Sequence, residues 1–169
     1  SNTAVGYVAL SGNTTGSRNT AVGSDALKAI TDANNNTAIG YLASNARTSG
    51  NDNVAVGAYC MNAVATGGNN VGVGKSSLHN MTSGYNNTAV GLNALFAITT
   101  GFENVCIGTY SGNDMTGGTR NVGVGYNTLN GLQAGQNNTA VGYSALDALS
   151  ANTFSNTALG SFAGSAITS

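Results

Sequence analysis

The side chains able to do chemistry in this chain are few: one imidazole, His79; two thiols, Cys60 and Cys106; and six carboxylates, Asp25, Asp32, Asp52, Glu103, Asp114 and Asp147. A histidine can serve as a general base, a low-pKa thiol as a nucleophile, and two facing carboxylates as the acid and base of glycoside cleavage. Each of these chemistries needs partners at fixed positions. Whether partners exist depends on how the chain places its residues, and that is set by a repeat.

The string Asn-Thr-Ala-Val-Gly, with small variations, begins at Asn2, Asn19, Asn36, Asn53, Asn70, Asn87, Asn104, Asn121, Asn138 and Asn156. The spacing is 17 residues except for the last, which is 18. With the Asn as offset zero, offset two is small (Ala, Gly or Cys), offset three is Val, Ile or Leu, and offset four is always Gly. Offset eight is usually Leu or Met, and offset eleven is usually apolar. A second Gly column lies three residues before the Asn, as in Gly67, Gly84, Gly101 and Gly118. The Gly is therefore punctuation at fixed places, and self-similarity at such a period is the mark of a solenoid. One coil cannot bury its own apolar side chains, so coil must stack on coil.

In that frame the reactive residues scatter. His79 falls at offset nine, in a column also holding Lys28, Phe96 and Asp147. The acids do not share an offset on adjacent coils, so paired acid–base work has no site. Cys60 and Cys106 lie three coils apart at different offsets, which argues against a disulfide and for buried, Ala-like thiols. The expectation is a protein that is not an enzyme and has no cofactor or metal. Five Lys and Arg cannot neutralise a tract of phosphates, so nucleic acid is not expected as a partner. No apolar run approaches the roughly 18 residues of a membrane span, so no membrane insertion is expected.

The expected fold is all-β: a parallel β-solenoid, or β-roll, of ten coils forming one uncapped array over residues 1–169. Each Asn-Thr-Ala-Val-Gly contributes one short strand, and the segment after it reads as a second short strand or a 3₁₀ or helical turn. Alternation gives that strand an aliphatic face, expected to meet the core, and a bare Ala/Gly face, expected to meet another backbone such as a neighbouring subunit. Asn19, Asn36, Asn53, Asn70, Asn87, Asn104, Asn121 and Asn138 are expected to stack as a structural amide ladder. Beside them run the columns of Val22, Val56 and Val90 and of Gly23, Gly57 and Gly91. Ser44 and Arg47 stand where Leu and Ile are usual, and Gly112 where Leu is usual, which marks coils three and seven as expected weak points. The extra residue before Asn156 is expected to bulge a turn without slipping the strand.

The motif Asn138-Thr-Ala-Val-Gly-Tyr143, nearly repeated from Asn36 to Tyr41 and followed by Ala-Leu and Thr-Thr-Gly elements, resembles the repeats of trimeric autotransporter adhesin heads and related phage tail-fibre proteins. The resemblance covers essentially the whole chain. It implies a left-handed parallel β-roll that associates as a trimer with small residues near the subunit contacts, although adhesin heads use a shorter repeat than this one. The function expected from it is a non-catalytic extracellular fibre segment, as an adhesin head or stalk or a phage tail fibre, on a cell surface, a virion or a secreted filament. Its partner would be itself, as a trimer or an end-to-end filament. Cell-surface glycan is a further candidate partner, through aromatic residues two places before the Asn: Tyr85, Phe102 and Phe154. Regular Thr at offset twelve (Thr14, Thr31, Thr48, Thr82, Thr99, Thr116 and Thr168) suggests ice binding as an alternative.

Overall fold

A computed structural model describes residues 1–46, 48–63, 66–149 and 152–165. Arg47, Val64 and Thr168 of the columns above lie outside the described residues. Ten three-residue strands follow one another: β1 (Thr3–Val5), β2 (Thr20–Val22), β3 (Thr37–Ile39), β4 (Val54–Val56), β5 (Val71–Val73), β6 (Thr88–Val90), β7 (Val105–Ile107), β8 (Val122–Val124), β9 (Thr139–Val141) and β10 (Thr157–Leu159). They form one parallel sheet in chain order, so the chain is a β-solenoid with one strand per coil. Register is kept at every step, with Ala38 facing Ala55 and Val90 facing Ile107. The 18-residue step keeps it too: Thr157 pairs with Thr139.

Stacking satisfies the backbone. Thr20 N–H donates to the Asn36 carbonyl of the following coil at 2.8 Å, while Gly40 N–H donates to Val22 of the preceding coil at 2.8 Å. The same alternation continues beyond the strand, where the sequence suggested a second strand or a 3₁₀ turn. Neither forms. Successive turns instead place non-Gly residues at offsets six and eight in the left-handed region, as at Asp25 (φ 57°) and Leu27 (φ 48°). Asp25 N–H then reaches back to Tyr7 at 2.9 Å and Leu27 N–H reaches forward to Ala43 at 3.1 Å. Alternating handedness bends the chain around the coil while each amide still points along the stack. Left-handed backbone costs an L-residue about 1–2 kcal/mol, and burying a Leu returns about 1.5–3 kcal/mol. The Leu column can therefore hold a conformation that its residue type disfavours.

The interior reverses the expected assignment of strand faces. Offset two is inside: Ala21, Ala38, Ala89, Cys106 and Ala140 are fully buried. Val, Ile or Leu at offset three points outward, with Val5, Ile39, Val73, Ile107 and Leu159 among the exposed large hydrophobics. The cause is the thinness of the coil. Its lumen is already occupied from the opposite wall by Leu27, Leu78, Leu95 and Leu129 at offset eight and Ile30, Met81, Ile98 and Leu132 at offset eleven, all fully buried. Only a small side chain, Ala, Gly or Cys, fits beneath the strand.

Volume is balanced coil by coil. Where offset two is Gly72, an added Cβ would sit 2.7 Å from Cys60 Sγ and 3.1 Å from Ser77 Oγ; at Gly123 it would sit 2.7 Å from Ser111 Oγ and 2.8 Å from Thr128 Oγ1. Gly is thus found opposite the larger residues of offset seven. Coil seven uses the converse pairing. Cys106 is the large residue at offset two, and Gly112 leaves it room, since a Cβ there would lie 2.9 Å from Cys106 Sγ. The place of the missing Leu in coil seven is taken up by Cys106 and Leu95, each 2.9 Å from a Cβ added at Gly112. Ser44 in coil three is buried, at 2% exposure. We expect Gly112→Ala alone to cost about 2–3 kcal/mol through overpacking and its positive φ. In the Cys106→Ala background the cost should fall by about 1 kcal/mol or more, a coupling readable from a double-mutant cycle of denaturant unfolding.

Candidate functional site

The Asn column lines one inner corner of the stack, and Asn70, Asn87, Asn104, Asn121 and Asn138 are fully buried. The Oδ1 of each accepts from the next coil: Asn104 N–H at 3.1 Å and Asn104 Nδ2 at 3.0 Å both donate to Asn87 Oδ1. Each Nδ2 also donates to the carbonyl fourteen residues on, as Asn87 does to Gly101 at 2.9 Å. The same bonds recur through Asn19, Asn36, Asn53, Asn121 and Asn138. Most of that carbonyl column is Gly, and a Cβ on Gly84 would meet Gly101 O at 2.5 Å; Ala33 and Thr153 stand in it at the Asn19 and Asn138 steps. All polar capacity of these amides is directed into the protein, which leaves none for a ligand.

The reactive residues stay apart. His79 stacks on Phe96 at 5.1 Å and its Nδ1 lies 2.8 Å from Asn80 Oδ1, a neighbour and not a catalytic partner. Asp25 pairs with Lys28 at 3.0 Å, and the hydrogen bonds from Lys28 and then Ser24 hold its carboxyl below the ordinary carboxylate range. Both thiols are free and buried. Burial pushes Cys60 up to about 11 and Cys106 up to about 12, so neither is a thiolate at neutral pH. Among the described residues there is no cluster of metal-ligating side chains, and no pocket is present.

The aromatic and Thr columns are built into the walls. Tyr85 and Phe102 stack in parallel at 4.9 Å, so each covers a ring face of the other. Phe102, Thr119, Gln136 and Phe154 are joined by parallel bridges, which extend pairing to a second side of the coil. Tyr85 and Phe154 remain 43% and 57% exposed. The Thr hydroxyls at offset twelve donate to the next coil's carbonyl: Thr14 to Thr31 at 2.9 Å, Thr31 to Thr48 at 3.0 Å and Thr99 to Thr116 at 3.0 Å. Those hydroxyls bond the stack together and do not form a free array.

What is left is the outward side of the strands. Offset one is Thr or Val in every coil and offset three is Val, Ile or Leu, so the two columns carry no charge from β1 to β10. Beside them, at offsets five and six, runs an aromatic margin that sequence reasoning missed. Tyr126 and Tyr143 stack at 5.2 Å, Tyr110 meets Tyr126 edge-on at 5.9 Å, and Phe162 meets Tyr143 at 5.2 Å. The signal available was the recurrence of Tyr directly after the Gly column, at Tyr7, Tyr41, Tyr126 and Tyr143. The face is regular, with Thr at offset one in six of the ten coils and Val, Ile or Leu at offset three in all of them. Comparison with protein-family models, curated proteins and solved structures finds no match to the chain.

Proposed function

We propose that the chain is a non-catalytic segment of an extracellular fibre, an adhesin head or stalk or a phage tail fibre, whose product is a rigid rod. It works as an assembly of identical chains, and a trimer is the form that the adhesin resemblance implies. The observation that carries this reading is the sameness of the joints. The coils are tied by the same in-register strand pairing and the same Asn bridge, whose amides are buried from Asn19 to Asn138, and no pocket is found. A protein selected for binding a small molecule would break that symmetry somewhere to make a cavity. A rod has no reason to.

Small-angle scattering of the purified chain, with limited proteolysis on the same sample, tests the proposal. The expected particle has a long dimension on the order of 50 Å per ten coils, at about 4.8 Å per strand spacing. Cleavage should be confined to the exposed turns. Scattering that fits neither a rod of that length nor a bundle of such rods, or rapid digestion through the strands, would remove the basis for the fibre reading.

A further inference from the structure

We propose that the outward strand face is the surface through which copies of this chain pack side by side; this rests on the fibre reading and names its contact. Three observations lead there. The first is chemical. Ile39, Val73 and Ile107 are 41%, 37% and 40% exposed, and Tyr126 and Tyr143 beside them are 45% and 51% exposed. Contiguous apolar surface is uncommon on a monomer once it exceeds a few hundred Å². Here a face of Val, Ile, Leu and Thr side chains, edged by the Tyr margin and interrupted at offset five by Lys75, runs the length of the sheet: nine strand spacings by four residue steps is roughly 43 by 13 Å, about 600 Å² in flat projection. That projection is about three-quarters of the roughly 800 Å² per partner of a standard interface.

The second observation is the distribution of charge. The acids and bases of the chain occupy turn columns, such as Arg18, Asp52, Glu103 and Arg120 immediately before the Asn. None falls at offsets one or three; in the margin, Lys75 falls at offset five and Asp25 at offset six, the latter paired with Lys28. A face without charge can meet a copy of itself without burying an unpaired or like charge.

The third is periodicity. The face repeats its ridge of β-branched side chains at every coil, with no break at the 18-residue step. A partner fits along the whole length only if it has the same spacing, and a second copy supplies that spacing by construction. The contact so assigned uses the β-branched residues. The small residues that the adhesin resemblance would put near the subunit contacts are under the sheet, inside the coil.

The test is the mass of the chain by sedimentation equilibrium, with Lys introduced on adjacent coils. The unmodified chain should sediment as a whole multiple of 16.7 kDa. Val73→Lys with Val90→Lys should weaken association by about a hundredfold or more through like-charge repulsion and desolvation. Ser83→Lys with Thr100→Lys, which adds the same charge on exposed turns, should change nothing. Circular dichroism and scattering of each variant report whether the coil survives. Should Val73→Lys with Val90→Lys unfold, Tyr126→Lys with Tyr143→Lys at the margin should lower the association instead. A monomeric unmodified chain would overturn the proposal, and so would an assembly indifferent to both face variants. A monomer that still scatters as a rod would leave the fibre reading standing while removing this one; thermal hysteresis in that monomer would assign the face to ice.

Discussion

Gly91→Ala should lower the thermal midpoint by roughly 8–16 °C, although it adds one methyl group to a position that touches no ligand. Gly91 has φ 135°, a conformation that L side chains rarely adopt. An added Cβ would stand 2.6 Å from both C and O of Gly108, which is backbone of the next coil and cannot rotate away. Backbone strain of this kind costs about 1–3 kcal/mol, and separating two hydrogen-bonded coils costs at least as much again, for a total of about 4 kcal/mol. At about 2–4 °C per kcal/mol for a chain of this size, the stated shift follows. Gly160→Ala separates the two causes. Its φ is 126°, but a Cβ there meets nothing closer than Ala163 Cβ at 4.0 Å. It should therefore show the strain without the collision, and less than half the shift. Calorimetry of both variants checks the prediction, and equal shifts would refute the collision.

Asn87→Ala should cost about 4 kcal/mol, more than a polar-to-Ala change usually does. The truncation leaves Asn104 N–H without its acceptor and the Gly101 carbonyl without its donor, both at a corner closed to water. Each orphaned group costs about 1–3 kcal/mol. Asn87→Asp is more informative because it keeps the shape. An ionised carboxylate still accepts from Asn104, but it would face the Gly101 carbonyl with no proton to offer. The folded state should therefore favour the neutral acid and raise the pKa above the unfolded value near 3.9. The sign follows from linkage. Stability is fully present below the unfolded pKa and is lost as pH rises through the folded one. Denaturant unfolding of Asn87→Asp at acid and at neutral pH should show the variant more stable in acid, and a pH-independent difference from the unmodified chain would contradict the bonding described.

These two positions also show how much of the molecule the sequence displays. The strand at each Asn-Thr-Ala-Val-Gly and the parallel stacking follow from the 17-residue period, because a residue that recurs at one offset must sit in one environment. The insertion before Asn156 falls outside a strand, and Thr157 keeps its place against Thr139. Which strand face lies inside was not legible. The usual rule puts Val and Ile in and leaves Ala free, but here Leu27, Ile30 and their equivalents fill the lumen first, and the space beneath the strand admits only Ala21. That outcome depends on the width of the coil, which no local pattern encodes. The left-handed Leu column was hidden for a related reason: Leu carries no mark of such a backbone, whereas Asn35, Asn69, Asn86 and Asn137 before the strands do. Cys106 and Gly112 each look like lapses when read alone, and only their proximity shows that one accommodates the other. For the outward face, the sequence displayed the absence of charge, but not that these columns meet solvent.

The alternation by which amides reach forward and back along the stack has a mechanical consequence. Tension applied to the two termini loads the joints between coils along their hydrogen bonds and in series, so the terminal joints bear it with support from one side only. The rod should yield by peeling one coil at a time, each releasing 17 residues, or about 58 Å of contour at roughly 3.4 Å per residue. Under a steady pull such a stack should lengthen in near-equal steps and dissipate work at each one.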